Sequence, residues 1–183
     1  MADFTSYCDY VASEGAKQIH IDYHDQEYGF PIEDDNLLFE RMCLELNQAG
    51  LSWELILKRR DGFRRAFDQF DIQKVAAYSD AKVEELLLNP EIIRNRMKVN
   101  AMIHNANRVI QIQKEHGSFK NWIDSHHPKT KEEWVKLFRK EFKFMGGEIV
   151  NEFLMSTGYL PGAHVETCPV FLEIKKQNPA WMR

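Results

Sequence analysis

The sequence predicts an all-α protein with a single globular domain. Apolar residues recur at spacings of three and four along nearly the whole chain, and no segment sustains the two-residue alternation of a β-strand. The chain has 183 residues, of which 44% are hydrophobic, and a domain of this length buries about 70% of the surface that its unfolded chain exposes. No internal repeat, low-complexity tract or linker interrupts the sequence, so we expect one domain over residues 1–183.

Two helices are predicted in the first third of the chain. Asp34 and Asp35 can cap a helix that runs to about Gly50. Ser52 can cap the next helix, which extends from residue 53 to about residue 60. The apolar stripe of the first helix consists of Leu38, Met42, Leu46 and Ala49.

Shorter helices and then three longer ones are predicted in the remainder. Typical caps begin the shorter helices at Asp61, Asp71 and Ser79. The Asn89-Pro90 pair interrupts the pattern. Apolar spacing then predicts helices over residues 96–116, 131–142 and 147–157.

Composition limits the context in which the protein works. No apolar run approaches the ~18 residues of a membrane span, and the N-terminal MADFTSYCDY lacks the basic start and apolar centre of a secretory signal. Three cysteines in such a chain indicate a reducing compartment, so we expect a cytoplasmic protein. The net charge of −4 disfavours a nucleic-acid partner unless a local basic patch outweighs it.

Two cysteine–histidine pairs lie at opposite ends of the chain. His164 and Cys168 form a His-x3-Cys pair, which is short enough for both side chains to reach one ion, and Cys8 and His24 form a looser pair. Thiolate and imidazole are the preferred ligands of zinc, and a closed structural site takes four. One zinc would then join segment 8–24 to segment 164–168. The alternative is that these are four unrelated polar residues.

Glu45 lies on the apolar face of the first predicted helix, because it follows Leu38 by seven residues and Met42 by three. A carboxylate there needs a partner, an exposed edge or a shifted pKa. It is either a structural glutamate paired with an arginine or a backbone amide, or a ligand-binding or catalytic acid. A carboxylate among aromatic rings is also what a purine pocket needs. The aromatic residues nearby in the sequence are Tyr23, Tyr28, Phe30 and Trp53.

The segment FKFMGG, residues 142–147, joins the last two predicted helices. Gly146 and Gly147 allow another backbone to approach closely. The following helix N-terminus offers free amides and a positive dipole, which suit a phosphate. Local positive charge comes from Lys136, Arg139, Lys140 and Lys143.

Together these residues resemble the 3-methyladenine DNA glycosylase I family, within the helix-hairpin-helix glycosylase superfamily. The match extends from Cys8 to Cys168. YHDQEYG at residues 23–29 is similar to the family pattern YHD-x-EWG, and QAGLSW stands at residues 48–53. The resemblance implies the all-α fold of helix-hairpin-helix glycosylases, with the hairpin at about residues 131–157.

The resemblance also implies specific roles for individual residues. Glu45 would be the catalytic acid that hydrogen-bonds the methylated adenine. The residues that bind the base would be Tyr23, Trp53, Tyr28 and Tyr10. The DNA backbone would be held by Lys143, Gly146 and Gly147. One structural zinc per chain would be held by Cys8, His24, His164 and Cys168.

The implied activity is hydrolysis of the N-glycosidic bond of flipped-out 3-methyladenine in alkylated double-stranded DNA, which starts base excision repair. The expected protein is a monomer of bacterial cytoplasmic type, associated with the nucleoid when it acts, with no membrane partner. Bifunctional relatives carry a lysine just after the hairpin glycines, where this chain has Glu148. The expected enzyme is therefore monofunctional and leaves an abasic site.

Several positions depart from the family pattern, and they bear on substrate range and turnover. These positions are Tyr10, Tyr28, Leu46, Asn47, Met97, Gly147 and Asn151. Two further interpretations stay open beside the enzyme. One is a non-catalytic module that binds alkylated DNA, and the other is a zinc-fastened helical interaction domain with a vestigial pocket.

Overall fold

The computed structural model describes residues 4–183, and these residues form α-helices, two short 3₁₀ turns and no β-strand. The 3₁₀ turns are Asp68–Phe70 and Ala180–Met182. The helices are α1 Tyr7–Val11, α2 Gln18–Gln26, α3 Asp35–Gln48, α4 Trp53–Ala66, α5 Ile72–Ala76, α6 Asp80–Leu88, α7 Arg96–His116, α8 Phe119–His126, α9 Lys131–Glu141, α10 Gly147–Ser156 and α11 Pro169–Lys176. The predicted all-α architecture is confirmed for this part of the chain.

Short polar side chains begin most of the predicted helices. Asp34 accepts a hydrogen bond from the backbone N–H of Leu37, and Thr130 forms a reciprocal capping box with Glu133 at the start of α9. Three other predicted caps are confirmed in the same way: Ser52, Asp71 and Ser79. The limits of α7 are those that the apolar spacing predicts.

The predicted helix start at Asp61 is wrong. Helix α4 continues through this position to Ala66. The side chain of Asp61 is 80% exposed and lies 3.8 Å from Arg64 one turn later, so it sits on the solvent side of a continuous helix. The next two residues, Gly62 and Phe63, are buried. Burial of Gly62 and Phe63 stabilises the continuous helix. Asp61 therefore lies inside α4 and does not cap a new helix.

Helix α3 forms the centre of the domain. Its residues 38–47 are all buried, and it packs against α4, α7, α8 and α10. The buried Lys98 of α7 donates hydrogen bonds of 2.8 Å to the backbone oxygens of Asn47 and Ala49, which satisfies free carbonyls where α3 ends. This packing holds Glu45 rigidly and brings α10 alongside it. None of the described helices combines the length and the hydropathy that crossing a membrane requires.

Candidate active site and metal centre

A cavity of about 290 Å³ lies between α1, α2, α3, α4 and α10. Its wall combines aromatic rings with two carboxyl groups. The lining residues are Tyr7, His20, Tyr23, Tyr28, Glu45, Gln48, Trp53 and Glu152. A concave site with an apolar wall and a few convergent polar groups is where a small ligand binds best.

The structure brings most of the predicted pocket residues together. Four of the five line this cavity: Glu45, Tyr23, Trp53 and Tyr28. Tyr10 does not line it. Its ring meets that of His20 edge-on at 5.2 Å and stacks with that of Tyr7 at 6.2 Å. Tyr10 therefore packs against two residues of the cavity wall, Tyr7 and His20, and is not itself part of the lining.

The carboxyl group of Glu45 faces the cavity without a protein partner. Glu45 is only 4% exposed, and no donor among residues 4–183 forms a hydrogen bond with its carboxyl group. Burial raises its pKa to about 8; Arg41 opposes this shift and Glu152 adds to it. The proton on Glu45 is therefore held strongly while the cavity contains no cation.

Arg41 is the cation whose charge acts on this carboxyl, but its hydrogen bonds go elsewhere. The guanidinium donates to the hydroxyl of Tyr23 at 3.0 Å, to the backbone oxygen of Ser156 at 3.3 Å and to Glu27 at 3.0 Å. The interpretation of Glu45 as a structural glutamate requires an arginine or amide partner. None bonds to it among the described residues, which favours a role in ligand binding.

The aromatic rings of the wall pack on one another and form a continuous surface. The centroid of the Tyr23 ring lies 5.1 Å from that of Trp53 and 5.6 Å from that of Tyr28. The Arg41 guanidinium lies 4.9 Å from the Tyr23 centroid, so a cation–π contact also holds this ring. Rigid rings of this kind can stack on a flat heteroaromatic ligand.

Four lining residues were not predicted as pocket residues: Tyr7, His20, Gln48 and Glu152. Gln48 follows Glu45 by one helical turn and could have been found from that spacing. His20 precedes Tyr23 by three residues on α2, which gives the same signal. Glu152 had no such signal. Its neighbour Asn151, one of the departures from the family pattern, does not line the cavity.

The two cysteine–histidine pairs meet in one buried cluster, as their residue types predict. The ligand atoms of Cys8, His24, His164 and Cys168 lie within 4.8 Å of one another. The Sγ of Cys8 lies 3.3 Å from Nε2 of His24 and 3.6 Å from Nδ1 of His164. Sulfur and nitrogen ligands at zinc bond lengths in a tetrahedron stand about 3.6 Å apart. The cluster therefore fits a tetrahedral metal ion.

Neighbouring groups orient both imidazoles for metal binding. Nδ1 of His24 lies 2.6 Å from the carboxylate of Asp25, and Nε2 of His164 donates to the backbone oxygen of Tyr28 at 2.7 Å. Each ring thus keeps its other nitrogen directed at the cysteines. Burial lowers the pKa of His164 to about 4, so its ring is neutral, which is the form that binds metals.

The turn between α9 and α10 is held from the core while its tip faces solvent. The fully buried Asn105 donates to the backbone oxygen of Lys143 at 3.1 Å and accepts from its N–H at 2.8 Å. Gly146 precedes α10, and no side chain caps this helix start. A Cβ atom added at Gly146 or Gly147 would meet nothing within 4 Å. The free amides of α10 are therefore accessible to an anion.

Several arginines of α4 and α7 are neutralised by neighbouring carboxylates. Arg60 and Arg64 both contact Glu40. Arg65 pairs with Glu91 at 2.5 Å, and Arg96 pairs with Glu84 at 2.6 Å. In contrast, no ion pair is formed by Lys136, Arg139 or Lys143 among the described residues. The face around α9 and the turn is the better candidate for contact with DNA.

Comparison with known proteins agrees with this geometry. The methyladenine glycosylase family profile matches residues 13–136. The DNA-3-methyladenine glycosylase of Haemophilus influenzae is 36% identical, and the match covers 90% of this chain and 97% of the relative. DNA-3-methyladenine glycosylase 1 of Escherichia coli strain K12 is 35% identical, covering 88% and 94%.

A solved structure shares the arrangement of helices. The structure that describes 3-methyladenine recognition by 3-methyladenine DNA glycosylase I from Staphylococcus aureus superposes with a TM-score of 0.79 at 28% identity, and the match covers 90% of this chain and 97% of that one. Sequence and fold therefore agree along nearly the full length of the relatives. The chain belongs to the 3-methyladenine DNA glycosylase I family.

Proposed function

We propose that this protein excises 3-methyladenine from alkylated double-stranded DNA by hydrolysing the N-glycosidic bond, and that it thereby starts base excision repair. The observation that carries the proposal is the unpartnered Glu45 carboxyl in an aromatic cavity. A flipped methylated adenine offers flat faces to the rings and N–H donors to the carboxyl. The names of the relatives support the same substrate.

The positive charge of the methylated base explains how binding can accelerate its release. Methylation at N3 makes the purine a cation and a good leaving group, so little acid catalysis is needed. Flipping the nucleotide costs a few kcal/mol, which stacking and hydrogen bonding in the pocket offset. A cation beside Glu45 favours the ionised carboxylate and draws its pKa down from about 8. The ionised Glu45 would then distinguish the lesion from neutral adenine.

The strand would stay intact after the base leaves. At the position where bifunctional relatives carry a lysine, this chain has Glu148, whose side chain is 85% exposed and pairs with Lys131 at 3.4 Å. A carboxylate cannot form the Schiff base that leads to strand cleavage. The product is an abasic site in an uncleaved strand.

We further propose that the cysteine–histidine cluster holds one structural zinc and that the hairpin holds the DNA backbone. Four protein ligands leave no open position for water, so the metal would stabilise the fold and take no part in hydrolysis. The accessible amides of α10 after Gly146, with the exposed Lys143, suit a phosphate. Tyr23, Tyr28 and Trp53 would enclose the base.

Incubation with methylated duplex DNA, followed by chromatography of the released bases, tests the activity. Free 3-methyladenine is the expected product. If the protein binds methylated DNA more tightly than unmethylated DNA but releases no base, it is instead the non-catalytic module.

A further inference from the structure

Glu152 brings a second carboxyl group to the cavity that Glu45 lines. It lies on α10, which follows the hairpin turn, whereas Glu45 lies on α3. The two helices pack against each other, so residues far apart in the sequence reach one small site. The cavity therefore carries two acidic groups on an otherwise aromatic wall.

A hydrogen bond holds Glu152 in this position. The hydroxyl of the buried Tyr28 donates to its Oε2 at 3.2 Å. No lysine or arginine among residues 4–183 forms an ion pair with Glu152. Arg41, whose charge acts on Glu45, is hydrogen-bonded to Glu27, Tyr23 and a backbone oxygen. The protein thus leaves both carboxyl groups without a directly bound cation.

Two acidic groups that line one cavity resist ionisation together. Burial raises the pKa of both Glu152 and Glu45. The negative charge of Glu152 raises the pKa of Glu45 further. A ligand that brings its own positive charge removes this penalty, whereas a neutral ligand of the same shape does not. The rings of Tyr23 and Trp53 add cation–π attraction for the same class of ligand.

We propose that Glu152 is a specificity-determining residue, which acts with Glu45 to select purines that carry a positive charge over neutral purines of the same shape. The inference rests on the proposed function only in taking a methylated purine as the ligand. Glu152 contributes the second negative charge, and Tyr28 fixes its direction.

A pair of small probes that differ in charge tests the proposal without DNA. One probe is 3,9-dimethyladenine, which is a cation at neutral pH. The other is its 3-deaza analogue, in which carbon replaces the methylated N3, and the titrations are run at a pH above the pKa of its N1 so that this analogue is neutral. Calorimetric titration of each gives the ratio of the two affinities for the wild type and for Glu152→Gln and Glu152→Ser.

In both variants we expect the ratio of the two affinities to fall about tenfold. This is the order expected when one hydrogen bond to a charged group is removed. Thermal melting of each variant shows that it is folded. Glu132→Gln is the matched control, because Glu132 lies on α9, is exposed and does not line the cavity. It should keep the preference of the wild type.

The proposal is overturned if the Glu152 variants keep the wild-type ratio, or if they weaken both probes equally, since Glu152 would then only shape the cavity. Absence of base release from methylated DNA would contradict the proposed function, but it would not affect the comparison of the two probe affinities. The two failures are therefore distinguishable.

Discussion

The backbone oxygen of Tyr28 accepts a hydrogen bond from Nε2 of His164 at 2.7 Å. The same residue places its ring in the cavity wall and its hydroxyl on Glu152. One residue therefore connects the cysteine–histidine cluster to the cavity where a base would bind. The cysteine–histidine cluster and the cavity are therefore structurally coupled, although their residues come from both ends of the chain.

Removal of one metal ligand should release zinc and weaken the pocket. Cys168→Ala leaves three ligands, so we expect the zinc content to fall from one per chain and the free energy of unfolding to fall by about 4 kcal/mol, as for loss of a cross-link that closes a loop of roughly 100 residues or more. Affinity for 3-methyladenine should fall too, because His164 holds Tyr28. Metal analysis and denaturant unfolding measure these changes.

Cys43→Ala is the control for that variant, since Cys43 is buried in the core away from the cluster. It should keep stoichiometric zinc. Wild-type protein that purifies without zinc, or a Cys168→Ala variant as stable as the wild type, would show that the cluster is not a structural metal site.

The raised pKa of Glu45 predicts a pH-dependent stability difference. The native state holds its proton up to about pH 8, whereas an unfolded glutamate loses it near pH 4.3. The native state therefore binds more protons between these values, and wild-type stability falls relative to Glu45→Gln as the pH rises from 5 to 8. The charged groups that face Glu45 are Arg41 and Glu152, and both stay in the variant.

The expected change is on the order of 3 kcal/mol, because one pKa unit corresponds to about 1.4 kcal/mol. Urea unfolding of both proteins at several pH values measures it, with Glu132→Gln on the exposed face of α9 as the control. Parallel stability curves for the wild type and Glu45→Gln would mean that Glu45 is already ionised in the empty cavity.

The helices that sequence predicts well are those with clear local signals. Helices α3, α7 and α9 have strong caps and regular apolar stripes. Helices α1, α2, α8 and α11 were not predicted. Helix α1 has five residues, and α2 is largely polar. Such segments are marginal as isolated helices, and they form here because His20, Tyr23 and His24 are buried against the rest of the domain.

The same division holds for the site. The clustering of the four cysteine and histidine side chains could be predicted from their residue types, and the pocket position of Glu45 from its place on an apolar face. Glu152 could not, since a glutamate on α10 looks like an ordinary exposed acid until the packing of α10 on α3 and the hydroxyl of Tyr28 are known. Tyr10 was assigned to the base by family pattern, and the structure puts His20 in front of it.

The hairpin predicts a DNA-binding defect that does not depend on the lesion. Gly146→Asp should fold, because a Cβ atom there meets nothing within 4 Å and aspartate is a favourable residue before a helix. Its negative charge would repel a phosphate at the α10 amides, so affinity should fall about tenfold. The loss should be equal for methylated and unmethylated duplexes, measured by fluorescence anisotropy.

Gly146→Ala adds the same Cβ without the charge and should bind DNA nearly as the wild type does. If Gly146→Asp keeps full affinity, the DNA-binding surface lies elsewhere. Affinity of the wild type should also fall steeply with added salt, as expected for phosphate contacts.

The reaction should leave no covalent adduct between the enzyme and DNA. Because Glu148 stands where an attacking lysine would be, borohydride present during the reaction should trap nothing, and the product strand should break only after alkali treatment. A trapped adduct would show that another amine attacks the sugar. Lys131→Ala would then test the nearest lysine, whose Nζ lies 3.4 Å from Glu148.

Single-turnover release of 3-methyladenine from methylated duplex DNA, compared between the wild type and Glu45→Gln, tests the central claim most directly. The variant keeps the shape of the side chain and removes its charge. We expect the wild type to release the base and the variant to do so about 30- to 150-fold more slowly, which corresponds to the roughly 2–3 kcal/mol of a hydrogen bond to a charged group. Equal rates in a folded Glu45→Gln protein would contradict the account and make Glu45 a structural residue.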